Sequence, residues 1–361
     1  MAFAAYRAPL DFVRSDPASR AMDQIAAQRS VSISITPQGG TSQPQQIMLV
    51  RPPVALVHGL WSPPSARDFL SPLVDANSMT YDSRFSVTRL NYAATNAQGF
   101  TPNATLVLQQ LDDFINIFKT GSFGFSVAAV QADIVAHSMG GDIIRTFATL
   151  PRFLRLDNYA SGDVHKLISI DTPYTGSPFA SNLLASNGFC KAKFKDFGRN
   201  TAGGAISDLA GGSPILKTTL AQPTVGISAH AIAGGASLPQ TQAAEINASF
   251  LGLNIACPSL LSNGHFQGVF GGPSDLIVSQ SSQSGTGVTV TGGSLPLPTD
   301  VVPGIIHAAD PQIFPLGPDA LSRGVDIANK AIVFSDSGNG QRVIDLLNSS
   351  VLSNAFLLVR P

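Results

Sequence analysis

A chain of 361 residues can bury a large core, and it is expected to form one principal α/β domain with insertions rather than two independent domains. Its formal net charge is -1 and only 12% of its residues are charged, which argues against nucleic acid or an anionic lipid surface as a partner. Hydrophobic residues make up 44%, yet no uninterrupted apolar run of about eighteen residues could span a bilayer, so no transmembrane segment is expected.

Residues 1–30 read as a leader with a short helix over 18–28. Residues 31–36 alternate Val31, Ile33 and Ile35 with serines, the pattern of a half-exposed edge strand, and 46–50 is its hairpin partner across the Gly39-Gly40 turn. These two are expected to open the sheet in antiparallel fashion. Residues 53–57 then read as a buried strand, 65–75 as helix, 85–91 as strand, and 102–119 as a helix opened by Thr101 and Pro102. A short buried strand over 131–136 precedes an amphipathic helix over 141–150, with Ile143, Ile144, Phe147 and Leu150 on one side.

The next strand is 166–170. From 179 to about 223 the pattern degrades into short apolar pieces, such as 179–184 and 215–220, separated by Gly-rich and Ser-rich joints. An insertion of this kind above a sheet is where a lid belongs. A strand resumes over 227–232 and is expected to break at Gly234-Gly235, and a second insertion runs to about 273. Residues 282–298 are poor in charge, with Val288-Thr289-Val290 as a short hairpin strand, and 325–334 and 343–347 read as closing helices. Alternating strands and helices predict a mostly parallel sheet covered on both faces.

Lysine is scarce while Ser, Thr, Gly, Asn and Gln are abundant, a composition common in exported proteins, so a secreted or extracytoplasmic location is expected. Residues 1–16 lack the basic start and apolar stretch of a signal peptide. Cys190 and Cys257 are the only cysteines. Paired, they would close a loop worth roughly 4 kcal/mol in the chain-entropy model; the alternative is two unlinked thiols. No CxxC pair, His-rich run or dense acidic cluster suggests a metal, and no cofactor is expected.

Ala136-His137-Ser138-Met139-Gly140 sits at the seam between the 131–136 strand and the helix that follows. A serine on so sharp a turn has a strained backbone, and small residues two positions away, here Ala136 and Gly140, let strand and helix approach. Upstream, the 53–57 strand ends in His58-Gly59-Leu60-Trp61; downstream, 166–170 ends in Asp171-Thr172-Pro173-Tyr174-Thr175-Gly176-Ser177-Pro178. With these three motifs in order, the chain from about Val54 onward resembles the α/β-hydrolase superfamily, and within it the lipases and esterases whose elbow reads Ala or Gly, then His-Ser-Met-Gly-Gly. The resemblance implies an α/β-hydrolase fold, with residues 51–361 as the catalytic domain, insertions at about 174–226 (a lid) and 236–272, and residues 1–50 as leader and edge strands.

A serine hydroxyl is a poor nucleophile unless a histidine takes its proton and a carboxylate orients that histidine. The family order is serine, acid, histidine, and His165, His230, His265 and His307 follow Ser138. His307, the last, matches the family position; His165 and His230 belong to strands and His265 to an insertion. Asp275, in Gly272-Pro273-Ser274-Asp275-Leu276-Ile277-Val278, resembles the segment that supplies the acid, with Asp171 as runner-up. Relatives form the oxyanion hole from backbone amides that correspond to Leu60 and Met139. Trp61 would then face the acyl pocket, or alternatively serve as a core or rim aromatic; His58 would brace its loop, and His137 would point to the opposite side of the elbow as a structural residue.

The implied activity is hydrolysis of carboxylic esters through an acyl-enzyme, with lipidic acyl chains favoured by the apolar, weakly charged composition and the long insertion. An ester or lipid substrate at a lipid-water interface is the expected partner. Acyl transfer, phospholipase, polyester-hydrolase or amidase chemistry on the same fold are alternatives, and a non-catalytic binding module is the alternative of a different class.

Overall fold

The computed structural model describes residues 8–36, 39–64, 70–77, 81–121, 126–221, 227–260, 272–286, 289–290, 293–294, 296–304, 307 and 339–359. Eleven strands are present among them: β1 (Gln28–Ile35), β2 (Gln43–Val50), β3 (Val54–Val57), β4 (Val87–Leu90), β5 (Ala132–His137), β6 (Val164–Ile170), β7 (Ile227–Gly235), β8 (Thr289–Val290), β9 (Gly293–Ser294), β10 (Thr299–Pro303) and β11 (Leu357–Val359). Six of them form a parallel sheet in the order β10-β7-β6-β5-β3-β4, and β11 adds antiparallel to the first half of β7. The chain passes from β3 outward to β4 and then returns to the other side of β3 as β5. That reversal opens a crevice beyond the carboxyl ends of β3 and β5, the place where open α/β sheets bind ligands.

The side-chain alternation of β3 shows how the sheet is buried. Ala55 and Val57 join one apolar cluster, Val54 and Leu56 another, and all four are inaccessible to solvent. The first cluster packs under α3 (Phe100–Gly121) and α4 (Met139–Phe147); the second packs under α2 (Ser71–Val74) and the closing helix Asn339–Leu347. A strand covered on both faces has to be apolar throughout, as this one is. Helix α3 buries Phe100, Ala104, Val107, Leu108, Leu111, Ile115 and Phe118, an i, i+3, i+4 stripe facing the sheet.

Several boundaries differ from those the sequence suggests, each for a tertiary reason. Helix α3 begins at Phe100 rather than after Thr101, because the Asp208 carboxylate accepts the Phe100 amide at 2.7 Å and Gly99 turns the chain at φ 121°. Strand β7 runs through Gly234-Gly235 instead of breaking there. Both glycines pair with β10, and a Cβ on Gly235 would lie 2.3 Å from the Gln280 amide nitrogen, so the glycine serves close approach and not termination. The β1–β2 hairpin forms, in register from Gln28↔Val50 to Ile35↔Gln43, but as a sheet of its own.

The reason lies at its base. Arg51, almost fully buried, donates to the carbonyls of Asp23, Gln24 and Ala26 and to Asn348 Oδ1, while its guanidinium stacks on Phe12 at 4.6 Å and on Phe85 at 4.9 Å. The hairpin is thereby tied to α1 (Pro17–Ile25) and to the end of the closing helix, and not laid along an edge of the main sheet. Burial lowers the Arg51 pKa to about 10. Asp23 is a second anchor in the same segment, receiving the Arg14 Nε and Nη2 hydrogens, each at 2.8 Å, and the Arg14 amide at 2.9 Å.

Between β6 and β7 the insertion folds as four helices: α5 (Pro178–Ala185), α6 (Gly188–Asp196), α7 (Gly204–Leu209) and α8 (Pro214–Ala221). After β7 come α9 (Leu238–Phe250) and α10 (Leu253–Ala256). Cys190 of α6 and Cys257, just past α10, form a disulfide that joins the two insertions across 67 residues of sequence. No helix among the described residues is long and apolar enough to cross a membrane. The expected helix over 325–334 and part of that over 65–75 lie outside the described residues, as does His265.

At the centre of the sheet the β3 loop and α4 are in close backbone contact. A Cβ on Gly140 would stand 2.7 Å from the His58 carbonyl oxygen and 2.9 Å from that of Val57; one on Gly188, at the start of α6, would meet nothing within 4 Å. Gly140→Ala should therefore lower stability by about 1–3 kcal/mol in urea unfolding, while Gly188→Ala stays within about 0.5 kcal/mol of the parent. Equal midpoints for the two variants would contradict this packing.

Hydrogen bonding from Arg14 holds the Asp23 carboxyl below its ordinary value. Its stabilisation is complete above the unfolded-chain value, near about 4, and is lost as pH falls from there through the lower folded value. Thermal unfolding should show the wild type losing Tm below about pH 4 more steeply than Asp23→Asn; parallel curves would contradict a stabilising role for the Arg14–Asp23 contact.

Candidate active site

Strand β5 delivers the chain to Ser138 at φ 54°, ψ −133°, and α4 starts at the next residue. A non-glycine residue at positive φ costs on the order of 1–3 kcal/mol and persists only where its surroundings hold it. Three bonds do so: the Ser138 amide donates to the Ile170 carbonyl at 2.8 Å, and the Ser138 carbonyl accepts from the Gly141 amide at 3.0 Å and from Thr172 Oγ1 at 3.1 Å. Thr172 also occupies the space beside Gly141, where a Cβ would lie 2.2 Å from its hydroxyl. The double glycine after the serine thus serves two contacts, one to the β3 loop and one to the Thr-Pro segment.

The Ser138 side chain meets His307. Its Oγ is 2.7 Å from His307 Nε2, and His307 Nδ1 is 2.8 Å from Asp275 Oδ2. The pairing with a carboxylate assigns the proton to Nδ1 and leaves Nε2 as acceptor for the serine hydroxyl. A backbone bond from the His307 amide to the Asp275 carbonyl, 2.9 Å, reinforces the pair. Asp275 is inaccessible to solvent, and its remaining capacity is met by the amides of Ile277 (2.9 Å) and Val278 (2.7 Å) and by Gln283 Nε2 (3.0 Å). Every group that contacts the carboxylate oxygens is a donor, the arrangement that orients a histidine.

The other predicted residues fall around this line. Leu60 follows Gly59 out of β3, and Met139 is the first residue of α4, where an amide has no partner within its own helix. Gly59 is packed so closely that a Cβ there would be 2.7 Å from Ser138 Cβ. His58 stacks on Tyr92 with centroids 4.0 Å apart and bonds to the Tyr92 amide through Nε2 at 3.3 Å, bracing its loop. Trp61, at φ 56°, reaches the cap: its indole donates to the Asn200 carbonyl at 3.0 Å, its carbonyl accepts from Arg199 Nη1 at 2.9 Å, and its ring lies 6.0 Å from that of Phe194.

His137 does not point away from the site. Its Nε2 donates to the His307 carbonyl at 3.0 Å and the two rings are 4.9 Å apart. Simple strand alternation fails at this position because the backbone already turns into the elbow at the next residue. Asp171, the runner-up acid, sits at φ 52° and accepts from the Gly234 amide at 2.7 Å. One ligand atom each from His137, Asp171 and His307 lie within 4.8 Å of one another. Both ring nitrogens of His307 are already engaged with Ser138 and Asp275, so this trio backs the histidine and is not arranged as a cation site. His165 and His230 lie elsewhere, bonded to Asp133 and to Asp300 respectively.

Behind the elbow, α4 buries two ionisable residues, Asp142 and Arg145. Burial holds the Asp142 carboxyl well above its ordinary value and lowers that of Arg145, whose guanidinium lies 5.1 Å from the Tyr174 ring centre. Burial pushes the Tyr174 hydroxyl up to about 12. Gln283 and Asn96, whose side chain bonds to the Gly59–Trp61 loop, carry no motif signal; each acquires its partner only through the fold.

Neither a family model nor a curated protein matches the chain. Solved structures with a similar trace include the mature lipase BlEst2 of Bacillus licheniformis, 18% identical, with 64% of this chain and 79% of that one covered and a TM-score of 0.39. Phospholipase PlaB of Legionella pneumophila is 13% identical, with 83% of this chain but only 63% of that one covered and a TM-score of 0.44. Carboxyl esterase 2 of the mycorrhizal fungus Tuber melanosporum is 13% identical, with 96% and 92% covered and a TM-score of 0.36. Likeness at these values says nothing of activity. The sheet order β10-β7-β6-β5-β3-β4, with the serine turn after β5 and the His-Gly loop after the adjacent β3, gives the chain an α/β-hydrolase fold.

Proposed function

We propose that the chain hydrolyses carboxylic esters, with Ser138 as nucleophile, His307 as general base and then acid, and Asp275 as the orienter of His307. The observation that carries the proposal is the unbroken hydrogen-bonded line from Ser138 Oγ through the His307 ring to the buried Asp275 carboxylate. In the first step Ser138 Oγ attacks the ester carbonyl carbon while its proton passes to His307 Nε2. The Leu60 and Met139 amides donate to the oxyanion that forms. The imidazolium then protonates the departing alkoxide, leaving an acyl group on Ser138. Water, activated by the same nitrogen, attacks the acyl carbon and releases the acid.

Lipidic acyl chains are the preferred substrate class in this proposal. Support comes from the two insertions, where Leu184, Phe189 and Ile255, each within a few residues of Cys190 or Cys257 in sequence, expose large apolar side chains of the kind a lipid-water interface would take. The disulfide also favours an oxidising, extracytoplasmic setting.

A panel of esters graded by acyl length, assayed with wild type and Ser138→Ala, tests the proposal. The variant should lose on the order of 10⁴-fold or more in kcat, and a fluorophosphonate probe should label the wild type alone. Equal turnover by the variant, or no labelling of the wild type, would contradict it. A triglyceride should be turned over faster once its concentration passes the solubility limit; a rate that ignores that limit would remove the lipid preference and leave ester hydrolysis standing.

A further inference from the structure

The two amides proposed to receive the oxyanion are held by different means. Met139 is fixed by α4 itself, whereas Leu60 lies in an irregular turn from Gly59 to Ser62, closed by a long bond of 3.4 Å from the Ser62 amide to the Gly59 carbonyl. Trp61 in that turn sits at φ 56°, a conformation that bulky residues rarely adopt without outside support. Arg199 holds the Trp61 carbonyl from the insertion side, and a second side chain holds the turn itself. Asn96, in the short turn Asn96–Gln98 after β4, is buried, and its amide brackets Leu60 on both sides: Nδ2 donates to the Gly59 carbonyl at 2.9 Å and Oδ1 accepts from the Trp61 amide at 2.5 Å. Donor faces acceptor at both contacts, so the orientation of the Asn96 amide is unambiguous.

The Gly59 carbonyl and the Leu60 N–H belong to one planar trans peptide and point in opposite directions. Holding the carbonyl therefore aims the N–H. His58 Nδ1, at 3.0 Å, donates to the same carbonyl. Asn96 is itself anchored by Asn103, a fully buried side chain whose Nδ2 donates to the Asn96 carbonyl at 3.1 Å and to that of Gly99 at 2.7 Å.

We infer that Asn96 is a positioning residue for the oxyanion hole: by clamping the Gly59 carbonyl and the Trp61 amide it aims the Leu60 N–H at the charge that develops on the substrate oxygen. The inference rests on the ester-hydrolase proposal. Without the clamp, a carbonyl and an amide would lose a buried partner, and the Gly59–Leu60 peptide, left with His58 and the long Ser62 bond, could turn its donor away from the site. The loss would be felt in the transition state, where the oxyanion exists, and hardly in the ground state.

The test uses the full chain with Asn96→Asp, which keeps size and shape but removes the Nδ2 donor, and Asn96→Ala, which removes both contacts. Active serines are counted by burst titration, so that kcat is expressed per working site on a soluble ester. Both variants should lose on the order of 10²-fold in kcat per site with KM changed by less than about threefold. Affinity for an arylboronic acid, whose tetrahedral adduct carries the oxyanion, should fall in parallel. A merely structural role would reduce the number of titratable sites and leave kcat per site and boronate affinity at wild-type values, which would overturn the inference alone. A wild type that neither turns over ester nor titrates would overturn the ester-hydrolase proposal and this inference with it.

Discussion

The close approach of the His58–Gly59 backbone to the elbow is the constraint on which the rest of the site depends. Gly59 lies against the Ser138 side chain, and Gly140 lies against the carbonyls of Val57 and His58. Neither contact has room for a Cβ. Because β3 and β5 are neighbours in the sheet, with Val57 opposite Ala136, both loops leave the sheet side by side and at the same height. The strained serine, the Leu60 amide and the first turn of α4 are consequences of that adjacency. Interiors are packed densely enough that one methyl group in this seam would have to displace backbone.

The histidine and its acid reach this seam from far along the chain, 169 residues from Ser138 in the case of His307. What makes their arrival precise is redundancy. Asp275 is held by two backbone amides and Gln283, His307 by its own amide to Asp275, and the His307 carbonyl by the His137 ring. Each of these contacts limits a rotation that would break the line to Ser138. Groups held in this way would need no reorganisation if charge developed beside them.

Much of this was legible in the chain because it has a local cause. Smallness around Ser138, the all-apolar strands and the alternation in β1 follow from sterics and burial, which neighbouring residues report. The positions that misled are those where a local rule met a tertiary partner. Gly234-Gly235 looks like a strand break, yet β10 and Gln280 claim both glycines for close pairing. Thr101 and Pro102 look like a helix start, yet the helix already begins at Phe100, whose amide Asp208 caps. The period of a strand assigns His137 to the far side, yet the turn at Ser138 brings it to His307. Asn96 and Gln283 left no trace at all, since an asparagine in a turn and a glutamine in a Ser-rich run are ordinary until the fold supplies their partners.

The proposed mechanism requires Ser138 to become covalently acylated during turnover. Rapid acid quench of the wild type with a chromogenic ester, followed by intact and peptide mass spectrometry, measures this directly. A transient mass increase equal to one acyl group is expected on the peptide that contains Ser138, lost as substrate is exhausted. Steady turnover with no adduct on that peptide, or an adduct on a different residue, would contradict it.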